Sequence, residues 1–167
     1  MSLPDPIAGG SIFQIAFVVE SLTDALERYQ TVLGPRSWRC YTFGARSHAT
    51  CEYRGGPTDF SVQLALSDGS PQLELIEPVE GPSIHADWLD ERGEGVHHLG
   101  VIVESVPRIV ERMTAAGYEV VQAGSGFGEA GDGAYAYFDT WRDVGVSIEV
   151  VEPPDRLPNL DFVWPEP

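Results

Sequence analysis

The chain has 167 residues, enough for one domain or two small fused modules. Its formal net charge is −16 and all ten basic residues are arginine; a field so negative repels phosphate backbones and anionic lipid, which excludes general nucleic-acid or membrane-surface binding. No run approaches the roughly 20 apolar residues that span a bilayer, and Met1–Gly10 lacks the basic and apolar regions of a signal peptide, although Met1-Ser2-Leu3 is compatible with an expression leader.

The apolar run at 11–20 predicts a strand, and Ser21, with Asp24 three residues on, predicts the N-cap of a helix that runs to Leu33 and stops at Gly34-Pro35. Strands follow at 37–43, 59–66 and 72–77, then a short helix within 82–92. A strand at 97–104 leads to a second helix capped by Ser105, with Pro107 in its first turn and Gly117 after it. Further strands are expected near 118–122, 134–139 and 147–151, and the tail from Pro153, with five prolines in 15 residues, reads as extended. The glycine-rich segment Gly124–Gly133 reads as a flexible loop at a cleft mouth, because no helix follows it to hold a phosphate.

The chain repeats itself. Shifted by 84, Val19-Glu20-Ser21 falls on Val103-Glu104-Ser105 and Glu27-Arg28 on Glu111-Arg112. Shifted by 75, Leu73-Glu74-Leu75-Ile76-Glu77-Pro78 falls on Ile148-Glu149-Val150-Val151-Glu152-Pro153. The reading is α+β, with two tandem βαβββ modules at 11–81 and 97–152, a linker with a short helix at 82–96, and a tail at 153–167.

Alternation along the strands places four polar side chains opposite the bulky residues expected to face the helices. They are Gln14, Glu74, His98 and Glu149; Gln14 and His98 are equivalent under the first shift, Glu74 and Glu149 under the second. Ala16 and Gly100 are their small neighbours. Each alone has an ordinary reading: a glutamate on a wet sheet face, a hydrogen-bonded histidine. Together, two carboxylates, an imidazole and an amide oxygen suit one divalent cation, Zn, Ni, Co, Mn or Fe, which offsets their mutual repulsion. His97 points to the opposite face and reads as packing or interface; His48 and His85 read as exposed polar residues; Trp38, Tyr41 and Phe43 read as core, with the lining of a cleft as the alternative. Phe162 and Trp164 are expected to dock on this chain or on a second subunit. Cys40 and Cys51 read as buried thiols of a cytoplasmic protein, with one disulfide as the alternative.

Leu73-Glu-Leu-Ile-Glu-Pro, Gly93-Glu-Gly-Val-His-His-Leu-Gly, Phe138-Asp-Thr and Gly145-Val-Ser-Ile-Glu resemble the vicinal oxygen chelate superfamily, which includes glyoxalase I, methylmalonyl-CoA epimerase, extradiol dioxygenases and bleomycin-resistance proteins. The resemblance implies a mixed sheet forming an incomplete, cup-shaped barrel around one metal, held at the positions of Gln14, Glu74, His98 and Glu149, and a homodimer. It implies a metal-dependent isomerase, epimerase or lactoylglutathione lyase-like enzyme acting on a small acyl-thioester or 2-oxo compound, with Glu149, or second Glu74, removing the proton α to the carbonyl. A metal-free drug-binding protein is the alternative, and a dioxygenase is third, because Gln14 stands where that chemistry prefers a histidine. Unlike the epimerases, the chain carries Gln63 at the expected place of a third-strand catalytic glutamate and Asp139-Thr140-Trp141 in place of a His-Pro. With no lysine, Arg39, Arg46 and Arg54 are the cations available for a CoA phosphate.

Overall fold

The computed structural model describes residue 7, residues 10–34 and residues 36–166, so the leader reading of Met1-Ser2-Leu3 and the Pro35 half of the helix stop lie outside it. The first half runs β1 (Ser11–Val18), α1 (Leu22–Leu33), β2 (Trp38–Gly44), β3 (Thr50–Tyr53), β4 (Gly56–Pro57), β5 (Ser61–Ser67) and β6 (Gln72–Glu80). α2 (Ile84–Arg92) precedes β7 (Gly95–Ile102), α3 (Val106–Ala115), β8 (Val120–Phe127), β9 (Gly133–Phe138), α4 (Trp141–Val144), β10 (Ser147–Glu152) and β11 (Phe162–Trp164). Among the described residues, no helix is long and apolar enough to cross a membrane.

The repeat is visible in how the two long helices start. Ser21 accepts the Asp24 N–H at 3.3 Å, and the Leu22 N–H donates to Glu77 Oε2 at 2.6 Å. At α3 the Ser105 side chain makes no capping bond, but the Val106 N–H donates to Glu152 Oε2 at 3.1 Å. A carboxylate from the end of β6 or β10 thus meets the free N–H groups and positive dipole end of the helix in its own half.

All eleven strands form one open mixed sheet in the order β11-β2-β5-β6-β1-β7-β10-β9-β8-β3-β4. The central strands β1 and β7 are antiparallel to each other, and each is parallel to the last strand of its own half, β1 to β6 and β7 to β10. Alternation sorts the side chains: Phe17, Val19, Leu73 and Leu75 pack with α1, and Val101, Val103, Ile148 and Val150 with α3. The other face curves around a cavity of about 580 Å³, lined in part by Phe43, Phe60, Phe127, Tyr135 and Tyr137.

Three features depart from the sequence reading. The β3–β4 hairpin, unanticipated in a short stretch broken by Gly55-Gly56, reaches across to the second half, where Thr50 pairs with Ser125. Gly124–Phe127 belong to β8 rather than to a flexible loop; a side chain at Gly124 would lie 2.6 Å from the Tyr135 ring, so glycine clears that ring's place in the sheet. The tail ends in a strand, with Phe162 opposite Cys40 on β2; Trp164 packs into the α1 core, while Phe162 is 45% exposed. Of the aromatic residues on β2, Trp38 fills the helix-side core, whereas Tyr41 and Phe43 lie on the concave side. Cys40 and Cys51 are both buried and free.

Candidate metal centre

Strand register sets the site. One row across the sheet reads Arg39, Leu66, Glu74, Ala16, His98, on β2, β5, β6, β1 and β7. A second reads Gln122, Tyr137, Glu149, Gly100, Gln14, on β8, β9, β10, β7 and β1. Directly paired residues point to the same face, so each row presents a donor, an intervening residue, a glutamate, a small residue and a central polar residue to the cavity side.

Three of the four sequence candidates converge. His98 Nε2 lies 3.3 Å from Glu74 Oε2 and 3.2 Å from Glu149 Oε2, with His98 wholly buried and both glutamates 7% exposed. Neither His98 Nε2 nor Glu74 Oε2 has an aligned hydrogen-bond partner. The fourth candidate, Gln14, stands one row position away on the same face; its Nε2 donates to Gln72 Oε1 at 2.9 Å, and its Oε1 is directed toward Gly100, where an added Cβ would approach it to 2.8 Å.

These donors fit a divalent cation. Metal–ligand bonds of about 2.1 Å place neighbouring donors roughly 3.0–3.4 Å apart in octahedral or tetrahedral geometry, the separations found around His98. Burial works against a charge on His98, but the two carboxylates outweigh it and raise the imidazole to about 9. Burial pushes the Glu74 carboxyl up, with the Glu149 charge adding to it and His98 opposing. A buried pair of carboxylates needs a positive partner, and the protonated imidazole fills that role while no cation is bound.

A second grouping brings ring nitrogens of His85, His97 and His98 within 4.8 Å of one another. It supplies no negative charge, and the Nδ1 atoms of His97 and His98 already meet at 2.8 Å. Burial holds His97 well below the ordinary histidine value and lowers His85 to about 3, so both are neutral. A dication gains more from the carboxylate side of His98 than from three imidazoles in a closed space.

The sequence of residues 13–138 matches the family model described as the glyoxalase/bleomycin resistance protein/dioxygenase superfamily. The chain belongs to that superfamily. Solved structures share the superfamily fold: a hypothetical protein from Bacillus halodurans (21% identity, TM-score 0.62, 91% of this chain and 100% of that one) and a methylmalonyl-CoA epimerase from Mycobacterium tuberculosis (24%, 0.61, 92% and 93%). A Streptomyces coelicolor methylmalonyl-CoA epimerase in complex with 2-nitronate-propionyl-CoA aligns at 22% identity and TM-score 0.59, over 84% of this chain and 95% of that one. Among curated sequences, small ribosomal subunit protein uS8 of Parvibaculum lavamentivorans matches at 32% identity over 72 residues, 42% of this chain. The chain spans about half the length of that relative (54%), and the match carries no statement about function.

Several residues in or near the cavity lie outside what the sequence pattern reveals. His85, expected to be exposed, is 3% exposed and lines the cavity with neither ring nitrogen partnered; α2 has no clean apolar stripe to show which face turns inward. His48 is half-buried against Phe43, Phe127 and Tyr135 rather than exposed, its Nδ1 2.7 Å from the Gly44 carbonyl oxygen. His97 packs against His85, Trp88 and Tyr137. Gln63 is exposed on the outer side of β5, Arg46 is exposed, and Arg54 pairs with Asp87 at 2.7 Å; Arg39 alone of the three arginines lines the cavity.

Proposed function

We propose that the chain is a metal-dependent epimerase, isomerase or glyoxalase-type lyase that removes the proton α to a carbonyl of a small acyl-thioester or 2-oxo compound. The observation that carries this reading is the buried convergence of His98 with Glu74 and Glu149 at 3.3 and 3.2 Å, without aligned hydrogen bonds, beside an apolar cavity. Gln14, Glu74, His98 and Glu149 would hold the cation, which when bound supplies Lewis-acid stabilisation of the negative charge that develops on the carbonyl oxygen. The epimerase neighbours support an acyl-CoA ester as one candidate substrate.

The chain's own groups divide the remaining work. Phe43, Phe60 and Phe127 exclude water from the reacting carbon. Glu149 takes the α-proton on a carboxylate oxygen and returns it to the same carbon from the other face or to the neighbouring carbon, so the proton count closes within one turnover. The Tyr137 hydroxyl bonds the Glu149 carboxylate and would hold it in place as it takes the proton. Glu74 has Leu66 and Ala16 as its neighbours in the sheet and no such hydroxyl there.

The aromatic lining also favours a second reading, a metal-free protein that sequesters an apolar drug. Elemental analysis of purified protein, followed by incubation with acyl-CoA esters and 2-oxo acids in D₂O, separates the two. Stoichiometric transition metal with α-deuterium incorporation supports the enzyme. Metal-free protein that binds an aromatic drug and exchanges no proton replaces it with the binding protein.

A further inference from the structure

The outer ends of the two rows carry unused hydrogen-bond donors. Arg39 lines the cavity, and among the described residues it makes no ion pair or hydrogen bond; its Nε is buried without a partner. Arg28, Arg54 and Arg156, by contrast, pair with carboxylates. In the equivalent place of the other row stands Gln122, 1% exposed and also lining the cavity. Its Oε1 accepts the Ile84 N–H at 2.8 Å, which fixes the amide. That Nε2 has no aligned partner, although the Tyr135 hydroxyl lies within reach of the amide.

A buried donor left unpaired costs free energy, which holds for Nε of the half-buried Arg39 and for the Gln122 amide. Arg39 stands two strands from Glu74, and Gln122 two strands from Glu149; at about 4.8 Å per strand each donor's backbone is roughly 10 Å from that of the glutamate. We propose that the cavity takes an asymmetric small organic anion, its free carboxylate on Arg39 and a neutral carbonyl or hydroxyl oxygen on Gln122. The apolar body lies between them against Phe43, Phe127 and Tyr135. The two halves are pseudo-equivalent in backbone, so the exchange of arginine for glutamine sets the ligand's direction. This rests on the cavity being the substrate site of the proposed enzyme, and it adds a required negative charge on the substrate at the first-half end.

The test is a binding measurement on metal-stripped protein, independent of turnover. The probes are 4-acetylphenylacetate, whose aromatic ring separates a carboxylate from a ketone, and its uncharged methyl ester, titrated calorimetrically. The acid should bind about 10- to 100-fold more tightly than the ester. Arg39→Gln should reduce that ratio to about one while leaving ester affinity and the melting temperature unchanged, and Arg39→Lys should restore part of it. Gln122→Leu should weaken acid and ester alike by about tenfold, keeping the ratio. Equal affinity for acid and ester, an acid preference that survives Arg39→Gln, or no binding of the acid up to about 10 mM overturns the proposal. Failure of the enzyme reading would show separately, as absent metal and absent deuterium exchange in protein that still discriminates acid from ester through Arg39.

Discussion

His97 Nδ1 lies 2.8 Å from Nδ1 of His98, so two adjacent residues on one strand hold their rings by a direct bond. Adjacent strand residues ordinarily face opposite sides; here β7 shifts register against β1 between Ala16 and Phe17, which pair with His98 and Val96, and His97 sits in the irregularity. If Nε2 of His98 binds a cation it carries no proton, so His98 must donate from Nδ1 and His97 must accept. His97 is kept neutral by burial first and then by the charges around it, so its Nδ1 lone pair is available. His97 is therefore a positioning residue for a ligand. His97→Phe should lower metal affinity by about 10- to 100-fold while the folded content measured by circular dichroism is retained. Unchanged affinity in a competitive chelator titration would remove His97 from that role.

The same geometry sets a pH dependence. With no cation bound, the two glutamates hold the His98 imidazole protonated up to about pH 9, well above the ordinary histidine value. A metal ion needs the neutral ring, so binding near pH 7 must expel that proton. Raising the pH removes the competitor, and apparent affinity should climb about tenfold per pH unit from 7 toward 9 and then level off. The sign for the metal-free fold is opposite: a raised histidine stabilises below its unfolded value near 6.5, and that contribution fades as pH passes through about 9. Chelator competition across this range, paired with melting curves of metal-free protein, checks both. Affinity that is flat in pH would mean that the centre forms elsewhere.

The inward face of the site was legible because strand alternation has a period of two and the halves repeat: Gln14, Glu74, His98 and Glu149 all stand opposite the helix-packed residues. What alternation cannot supply is which strands are neighbours. Arg39 and Gln122 become partners of the same cavity only once β2 joins β5 and β8 joins β9, and their sequence surroundings give no hint of it. His85 was missed for a different reason: its ring packs against His97 and Tyr137, but its helix carries no single apolar stripe, so no period marks an inward position. The glycine-rich stretch misled because glycine is depleted in strands generally, whereas at Gly124 and Gly133 aromatic rings occupy the space a side chain would need.

Gly100 is the narrowest point of the second row. A Cβ there would lie 2.8 Å from Gln14 Oε1, 3.0 Å from Gln14 Cβ and 3.0 Å from the Phe13 ring. The backbone of Gly100 does not have positive φ, so alanine is conformationally permitted and its effect comes from crowding alone. Gly100→Ala should turn Gln14 away from the centre and cost about 1–3 kcal/mol of stability through overpacking. The double variant Gly100→Ala with Gln14→Ala should recover much of that stability without recovering metal affinity. A single Gly100→Ala variant with wild-type affinity would show that Gln14 is not a ligand.

The two glutamates make the last distinction. Both contact His98 and both lose water on folding, so a charge argument alone treats them alike. Their neighbours differ: Tyr137 pairs with Glu149 across β9 and β10, while the matching partner of Glu74 is Leu66. A carboxylate that takes a proton gains from a hydroxyl fixed beside it, and among these strand neighbours Tyr137 of Glu149 supplies one while Leu66 of Glu74 does not. Glu149→Gln should retain metal, because an amide oxygen still coordinates, yet lower α-deuterium exchange by about 10²- to 10⁴-fold. Tyr137→Phe should lower exchange by a smaller factor at unchanged metal content. Glu74→Gln should likewise retain metal, but with exchange per bound metal largely preserved. If the pattern is reversed, Glu74 is the base and Tyr137 serves packing only.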